Sequence, residues 1–152
     1  VKHYEDSDNF DKKKLKQWNQ EHKSGGFRCM HCRQFVVINE LMGTRNRNHC
    51  NICFWSKHVD NKTGDRRSNC HGGMKPIGLT LKHEGSGKIG ELMFIHFCLL
   101  CTKININRVA RDDPESSILD VFNQTETMIN TTGIDILHIE DYQVVHEQLY
   151  GR

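Results

Sequence analysis

Two runs of apolar residues stand out from a largely polar chain: Phe35, Val36, Val37 and Ile38, and Leu92, Met93, Phe94, Ile95 and Phe97. Both are short and β-branched or aromatic, which predicts strands. Glycine-containing pieces around Gly64-Asp65, Gly72-Gly73 and Gly85-Ser86-Gly87 separate them and read as turns. Beyond residue 112 the period changes. Ile118, Leu119 and Phe122 recur at helical spacing, and Asp113, Pro114 and Glu115 supply an N-cap, an N1 proline and an acidic first turn, predicting a helix over 114–128. Thr131, Thr132 and Gly133 end it. Ile134, Ile136 and Ile139 form a short extended piece, and a last helix follows Asp141, carries Val144, Val145 and Leu149, and stops near Gly151.

Residues 1–26 are polar, with Lys12, Lys13, Lys14 and Lys16 clustered around Leu15 and Trp18. They read as a basic arm with room for a short helix before Gly25 and Gly26. The chain thus divides into an arm (1–26), a cysteine-bearing domain (27–113) and a helical extension (114–152). Charge is divided along the chain as well, with part of the arm falling in the basic segment. Residues 11–111 hold 19 Lys and Arg against seven Asp and Glu, a net +12, whereas residues 112–152 carry a net −8, leaving +2 for the whole chain. A basic body with an acidic tail suits nucleic-acid contact, and equally suits plain solubility.

At 152 residues, 36% hydrophobic content and a mean hydropathy of −0.66, apolar burial alone is thin support for a fold. Seven cysteines change that picture. Six of them form three pairs with the same two-residue gap: Cys29/Cys32, Cys50/Cys53 and Cys98/Cys101. Each such pair wraps one tight turn around a metal, and zinc takes four ligands, so two pairs complete a site. With no apolar run near the ~18 residues that span a bilayer and no secretory leader, the expectation is a reducing, cytoplasmic setting in which thiols ligate metal.

The first pair runs into one predicted strand and the last pair follows another, the arrangement of a zinc ribbon with a long insertion. One zinc is therefore expected on Cys29, Cys32, Cys98 and Cys101, and a second on Cys50, Cys53, His58 and Cys70. The fold expected is a small α+β zinc-stabilised domain with zinc-ribbon-like knuckles, short antiparallel strands and C-terminal helices, the helices either covering the metal core or docking on a partner.

Arg47-Asn48-His49-Cys50-x-x-Cys53 continues to His58-Val59-Asp60, Gly64-Asp65-Arg66, Cys70-x-Gly72-x-Met74-x-Pro76-Ile77, His96-x-Cys98-x-x-Cys101 and Asn107-Arg108-Val109-Ala110-x-Asp112-Asp113. This series resembles the RNHCP domain family, over about residues 27–113. Asn51, Thr63 and Thr102 depart from the family's usual proline, proline and glycine, and none of the three is a ligand position. The resemblance implies a zinc-binding module and brings no activity with it.

Asp60, Asp65, Asp112 and Asp113 can be read as partners that pair with arginines and orient His49 or His58. In the competing reading the arginines form a phosphate-binding face. Three functions follow. The first is an RNA-binding zinc protein acting on RNA, ribosomal RNA and ribosomal proteins included, through Lys12, Lys13, Lys14, Lys16, Arg45, Arg47, Arg66, Arg67, Arg108 and Arg111, with Phe54 and Trp55 either available to stack on bases or packed around the metal. The second is a metal-dependent nuclease of the treble-clef His-Asn-His type, using His49, His58 or His96 with Asp60. The third is a protein adaptor anchored by the apolar faces of the C-terminal helices. No small-molecule substrate, nucleotide cofactor or catalytic triad is visible in the sequence.

Overall fold

A computed structural model describes residues 25–38, 47–62, 66–83, 89–126 and 133–151, together with Lys13 and Lys16, which are helical and exposed. Strands β1 (Gly26–Arg28) and β2 (Phe35–Val37) form an antiparallel hairpin with Phe27 opposite Val36. Strands β3 (Ser56–Lys57), β4 (Gly73–His83), β5 (Ile89–Cys98) and β6 (Ile104–Arg108) form a second antiparallel sheet in the order β3-β4-β5-β6. Helix α1 spans Glu115–Asn123, and helix α2 spans Tyr142–Tyr150 behind a 3-10 turn at Ile139–Asp141.

Both expected strands form, and β5 extends further than its apolar run. Strand β4 was not foreseen. Ile77, Leu79 and Leu81 do alternate, but Pro76 and Gly78 lie among them, and both weaken a strand. The ladder absorbs them with a register shift between Pro76 and Gly78, so that Pro76 opposes His96 and Gly78 opposes Ile95. Gly73, expected in a turn, is the first residue of this strand.

The helices run close to expectation. Helix α1 ends at Asn123, short of Met128, which lies outside the described residues. Its N-cap is Pro114, with no side-chain cap bond, because the Asp113 carboxylate is drawn elsewhere. After α1 the chain runs along the open edge of β4: the Glu126 amide donates to the Ile77 carbonyl at 2.9 Å, and the Leu137 amide to the Leu79 carbonyl at 2.9 Å. Thr80 Oγ1 donates to the Asp135 carbonyl at 2.7 Å. The piece expected to be extended thus covers a sheet edge that would otherwise offer unpaired backbone groups.

The apolar interior falls into two clusters. In the larger, Ile118 and Phe122 of α1 and Val145 and Leu149 of α2 pack with Leu137 onto Phe54, Leu79, Leu92 and Phe94. The smaller gathers Phe27, Cys29, Val36, Cys50 and Val59 beside the hairpin. The helices are therefore part of the core, and the side chains that an adaptor would use as anchors are largely spent: Ile118, Phe122, Val145 and Leu149 are buried, and Leu119 and Val144 half-buried. Among the described residues no helix is long and apolar enough to cross a membrane.

This packing predicts a contrast measurable by urea denaturation of the full chain. Leu149→Ala or Ile118→Ala lowers stability by about 3 kcal/mol, through lost burial and a cavity. Ile139→Ala, at a side chain 68% exposed, stays within about 0.5 kcal/mol of the parent.

Candidate metal centres

The three cysteine pairs are built alike. In each, the amide of the first cysteine donates to the carbonyl five residues on: Cys29 to Gln34, Cys50 to Trp55 and Cys98 to Lys103, all at 2.9 Å. The residue after the second cysteine donates back to the first cysteine's carbonyl: Arg33 to Cys29 and Phe54 to Cys50 at 3.0 Å, and Thr102 to Cys98 at 2.9 Å. That same residue closes the loop in the left-handed region, with φ of 67° at Arg33, 63° at Phe54 and 66° at Thr102. A side chain there costs on the order of 1 kcal/mol relative to glycine, and the loop holds it with two hydrogen bonds.

Backbone N–H groups inside the loops point at sulfur. His31 N and Cys32 N lie 3.4 and 3.5 Å from Cys29 Sγ, and Ile52 N lies 3.3 Å from Cys50 Sγ. Such donors favour thiolate over thiol. The Cys50 thiol is brought down to about 5, chiefly by its hydrogen bond with Cys53, with the Cys53 and Ile52 amides adding to it against burial. Cys53 is correspondingly raised by the same bond. At the other centre burial pushes Cys70 up to about 11.

The pairing of ligands differs from the zinc-ribbon expectation. All eight expected donors come together, but in other sets. Cys29, Cys32, Cys50 and Cys53 form one group, and His58, Cys70, Cys98 and Cys101 form the other, with the donor atoms of each within 4.8 Å of one another. The reason lies in the sheets. The β1–β2 hairpin is a separate sheet, so its cysteine pair never meets the pair at the end of β5. Instead Cys98 pairs with Met74 across the β4–β5 ladder, which draws the segment before β4, with Cys70, alongside it. His58 is set by reciprocal backbone bonds, its amide to the Gly72 carbonyl and the His71 amide to its own carbonyl, both at 2.9 Å. Gly72 is needed at this crossing: a Cβ there would lie 2.7 Å from Leu100 Cβ and 3.0 Å from Cys98 Sγ.

The donor sets fit a tetrahedral cation. Sulfur separations are 3.5 Å for Cys29–Cys53 and 3.6 Å for Cys32–Cys50 and Cys70–Cys98. A Zn–S bond of about 2.3 Å implies a tetrahedral edge of about 3.8 Å. His58 Nδ1 lies 3.2 Å from Cys101 Sγ. Burial, with the Lys103 ammonium nearby, keeps the His58 imidazole below its ordinary pKa, so it holds a lone pair for a cation. Both groups could hold metal ions.

The polar residues around the second cysteine pair have partners of their own. Arg47 is buried and bidentate, with Nη1 on Asp112 and Nη2 on Asp113 at 2.6 Å each. Burial opposes the Asp112 charge, but the Arg47 guanidinium more than offsets it and holds this carboxyl below the usual range. Asp113 also accepts from His49 Nε2 at 2.7 Å and from the Ala110 amide at 2.7 Å. Asn48 Nδ2 donates to Asp60 at 2.8 Å, and Asp60 accepts in turn from the Arg66 amide at 2.7 Å, while the Arg66 guanidinium reaches Asn48. His96 is wholly buried; its Nε2 donates to the Phe54 carbonyl at 2.6 Å and its Nδ1 accepts from Asn107 Nδ2 at 2.8 Å. Burial takes its pKa down to about 3, so it stays neutral.

The structure also places the other residues singled out in the sequence. Arg47, expected on a nucleic-acid face, is closed off by two carboxylates, and Arg66 is half-buried against Asp60 and Asn48. Arg108 is exposed but engages Glu91. Arg67 and Arg111, like Lys13 and Lys16, are exposed; Lys12, Lys14, Arg45 and Asp65 lie outside the described residues. Phe54, read either as open to bases or as packed around the metal, is core, with its ring centroid 4.8 Å from that of Phe94. Of the hydrolase candidates, His49 bonds Asp113, His96 bonds Phe54 and Asn107, and His58 stands in a group that could hold a metal ion.

A search of curated proteins and a search of solved structures each returned no match. A family model does match, over residues 24–119, a span that takes in all eight donors, the Arg47–Asp113 network and the start of α1. Its description is RNHCP domain. The chain belongs to the RNHCP domain family.

Proposed function

We propose that this chain is a structural two-zinc protein that binds RNA through its cationic surface. One observation carries the zinc half: eight donors, seven of them sulfur, stand in two closed tetrads. Thiolate-rich tetrahedral sets suit zinc, and a set filled by four protein groups leaves no coordination position for a substrate or water. The metal would contribute folding energy and no chemistry on a ligand. Thiolate ligation of this kind requires a reducing compartment, the cytoplasm in the first instance.

The RNA half rests on charge. Two zinc ions on seven thiolates leave about −3 at the centres, so residues 11–111 retain a net charge near +9. Arg67, Lys62, Lys103 and Arg111 stand exposed on that body, and Lys13 and Lys16 on the arm before it. Ribosomal RNA is the natural first target for a small basic zinc module of this kind, and co-sedimentation with ribosomes is the direct check on it.

Metal analysis of the purified chain should return two zinc ions per molecule, and a chelator should abolish its cooperative unfolding transition. Retention of that transition in metal-free protein would count against the proposal. RNA affinity should fall steeply between about 50 and 300 mM salt; a flat response rules out the cationic surface. Arg47 and Arg111 should separate. Arg47→Ala leaves buried Asp113 uncompensated and costs about 3 kcal/mol or more, whereas Arg111→Ala leaves stability within about 0.5 kcal/mol and reduces the salt slope by about one.

A further inference from the structure

His31 occupies the tip of the first cysteine loop, between Cys29 and Cys32, and its ring lies flat on the indole of Trp55. The centroids are 3.9 Å apart and the planes 4° from parallel. The core rings adopt another geometry, with Phe94 tilted 62° from His49 and 33° from Phe54. Packing favours tilted and offset-stacked pairs alike, and an exposed near-parallel pair also presents a further π face along the same axis. His31 is exposed, and Trp55 is half-buried beneath it.

The foundation of this pair is rigid. Trp55 accepts, through its carbonyl, the Cys50 amide that closes the second cysteine loop, and its six-membered ring lies 3.6 Å from the Cβ position of Gly73. The two rings are thus carried by two loops of one candidate metal centre. Its surroundings are cationic and partly apolar. Arg28 and Lys57 line, with Met30, Asn48 and Trp55, a shallow pocket beside it. Arg28 is exposed and fixed by a 2.8 Å bond from Nη1 to the Arg33 carbonyl, and Arg33 itself is exposed.

We infer that the His31–Trp55 pair is a stacking step for an unpaired nucleobase, the base lying on the outer face of His31 with its phosphates towards Arg28, Arg33 and Lys57. The inference rests on the RNA-binding reading above and sharpens it to single-stranded segments, since bases inside a duplex offer no free face. It gives the exposed loop tip a role that metal ligation leaves open: the His31 amide serves Cys29, while its ring faces outward.

The test uses the full zinc-loaded chain with Trp18→Phe, which leaves Trp55 as the single tryptophan. Two probes of about eight units each, within the site size of such surfaces, are an oligouridylate and an abasic strand of equal charge. The oligouridylate should quench Trp55 fluorescence and bind roughly tenfold more tightly than the abasic strand. Adding His31→Ala should erase that margin at unchanged zinc content, and His31→Phe should keep it. Equal affinity for both strands, or an unaltered margin in His31→Ala, overturns the stacking step while leaving the cationic surface standing. Failure of both strands to bind overturns the two together.

Discussion

Seven sulfur atoms and one imidazole nitrogen are held in two groups, each no wider than 4.8 Å, and the described loops around them are arranged to that constraint. Thiolates at such separations repel one another, and burial penalises each charge, so a divalent cation would make the arrangement favourable. The local backbone is committed to the same end. Three loops repeat one hydrogen-bond pattern and one left-handed residue, and Gly72 lets the chain cross within contact of Cys98. Chains with mean hydropathy this low have few other ways to order their loops.

A second layer of polar contacts ties the centres to the remainder of the fold. Arg47 and His49, next to Cys50, converge on Asp112 and Asp113 just ahead of α1, and Asn48 joins Asp60, two residues beyond the donor His58. The first centre is thereby linked to the helical core, and also to the second centre. Buried charge of this kind contributes specificity more than stability, which fits its position between two otherwise separate apolar clusters. It also gives the arginine, asparagine and histidine of the family's motif partners within the fold.

How much of this could be read from sequence depended on whether a feature was local. Donor identity was legible because cysteines spaced for a turn declare their chemistry on their own. The two helices were legible from apolar spacing and terminal residues. Ligand pairing was not, since it depends on which strands adjoin, and the decisive strand, β4, was hidden by Pro76 and Gly78. Asp113 read as a helix cap because it precedes Pro114-Glu115; only the approach of Arg47 and His49 from more than sixty residues away redirects it. Phe54 and Trp55, adjacent in sequence, part company, one buried and the other half-open beneath His31.

The division of the eight donors into two successive sets, Cys29 to Cys53 and His58 to Cys101, is the claim on which the stability and the loop geometry rest. Cadmium-113 substitution with proton-detected correlation spectroscopy reads it directly. The account predicts two cadmium resonances, one coupled to the β protons of Cys29, Cys32, Cys50 and Cys53, the other to those of Cys70, Cys98 and Cys101 and to the His58 ring. A resonance coupled to both Cys29 and Cys98 would contradict it.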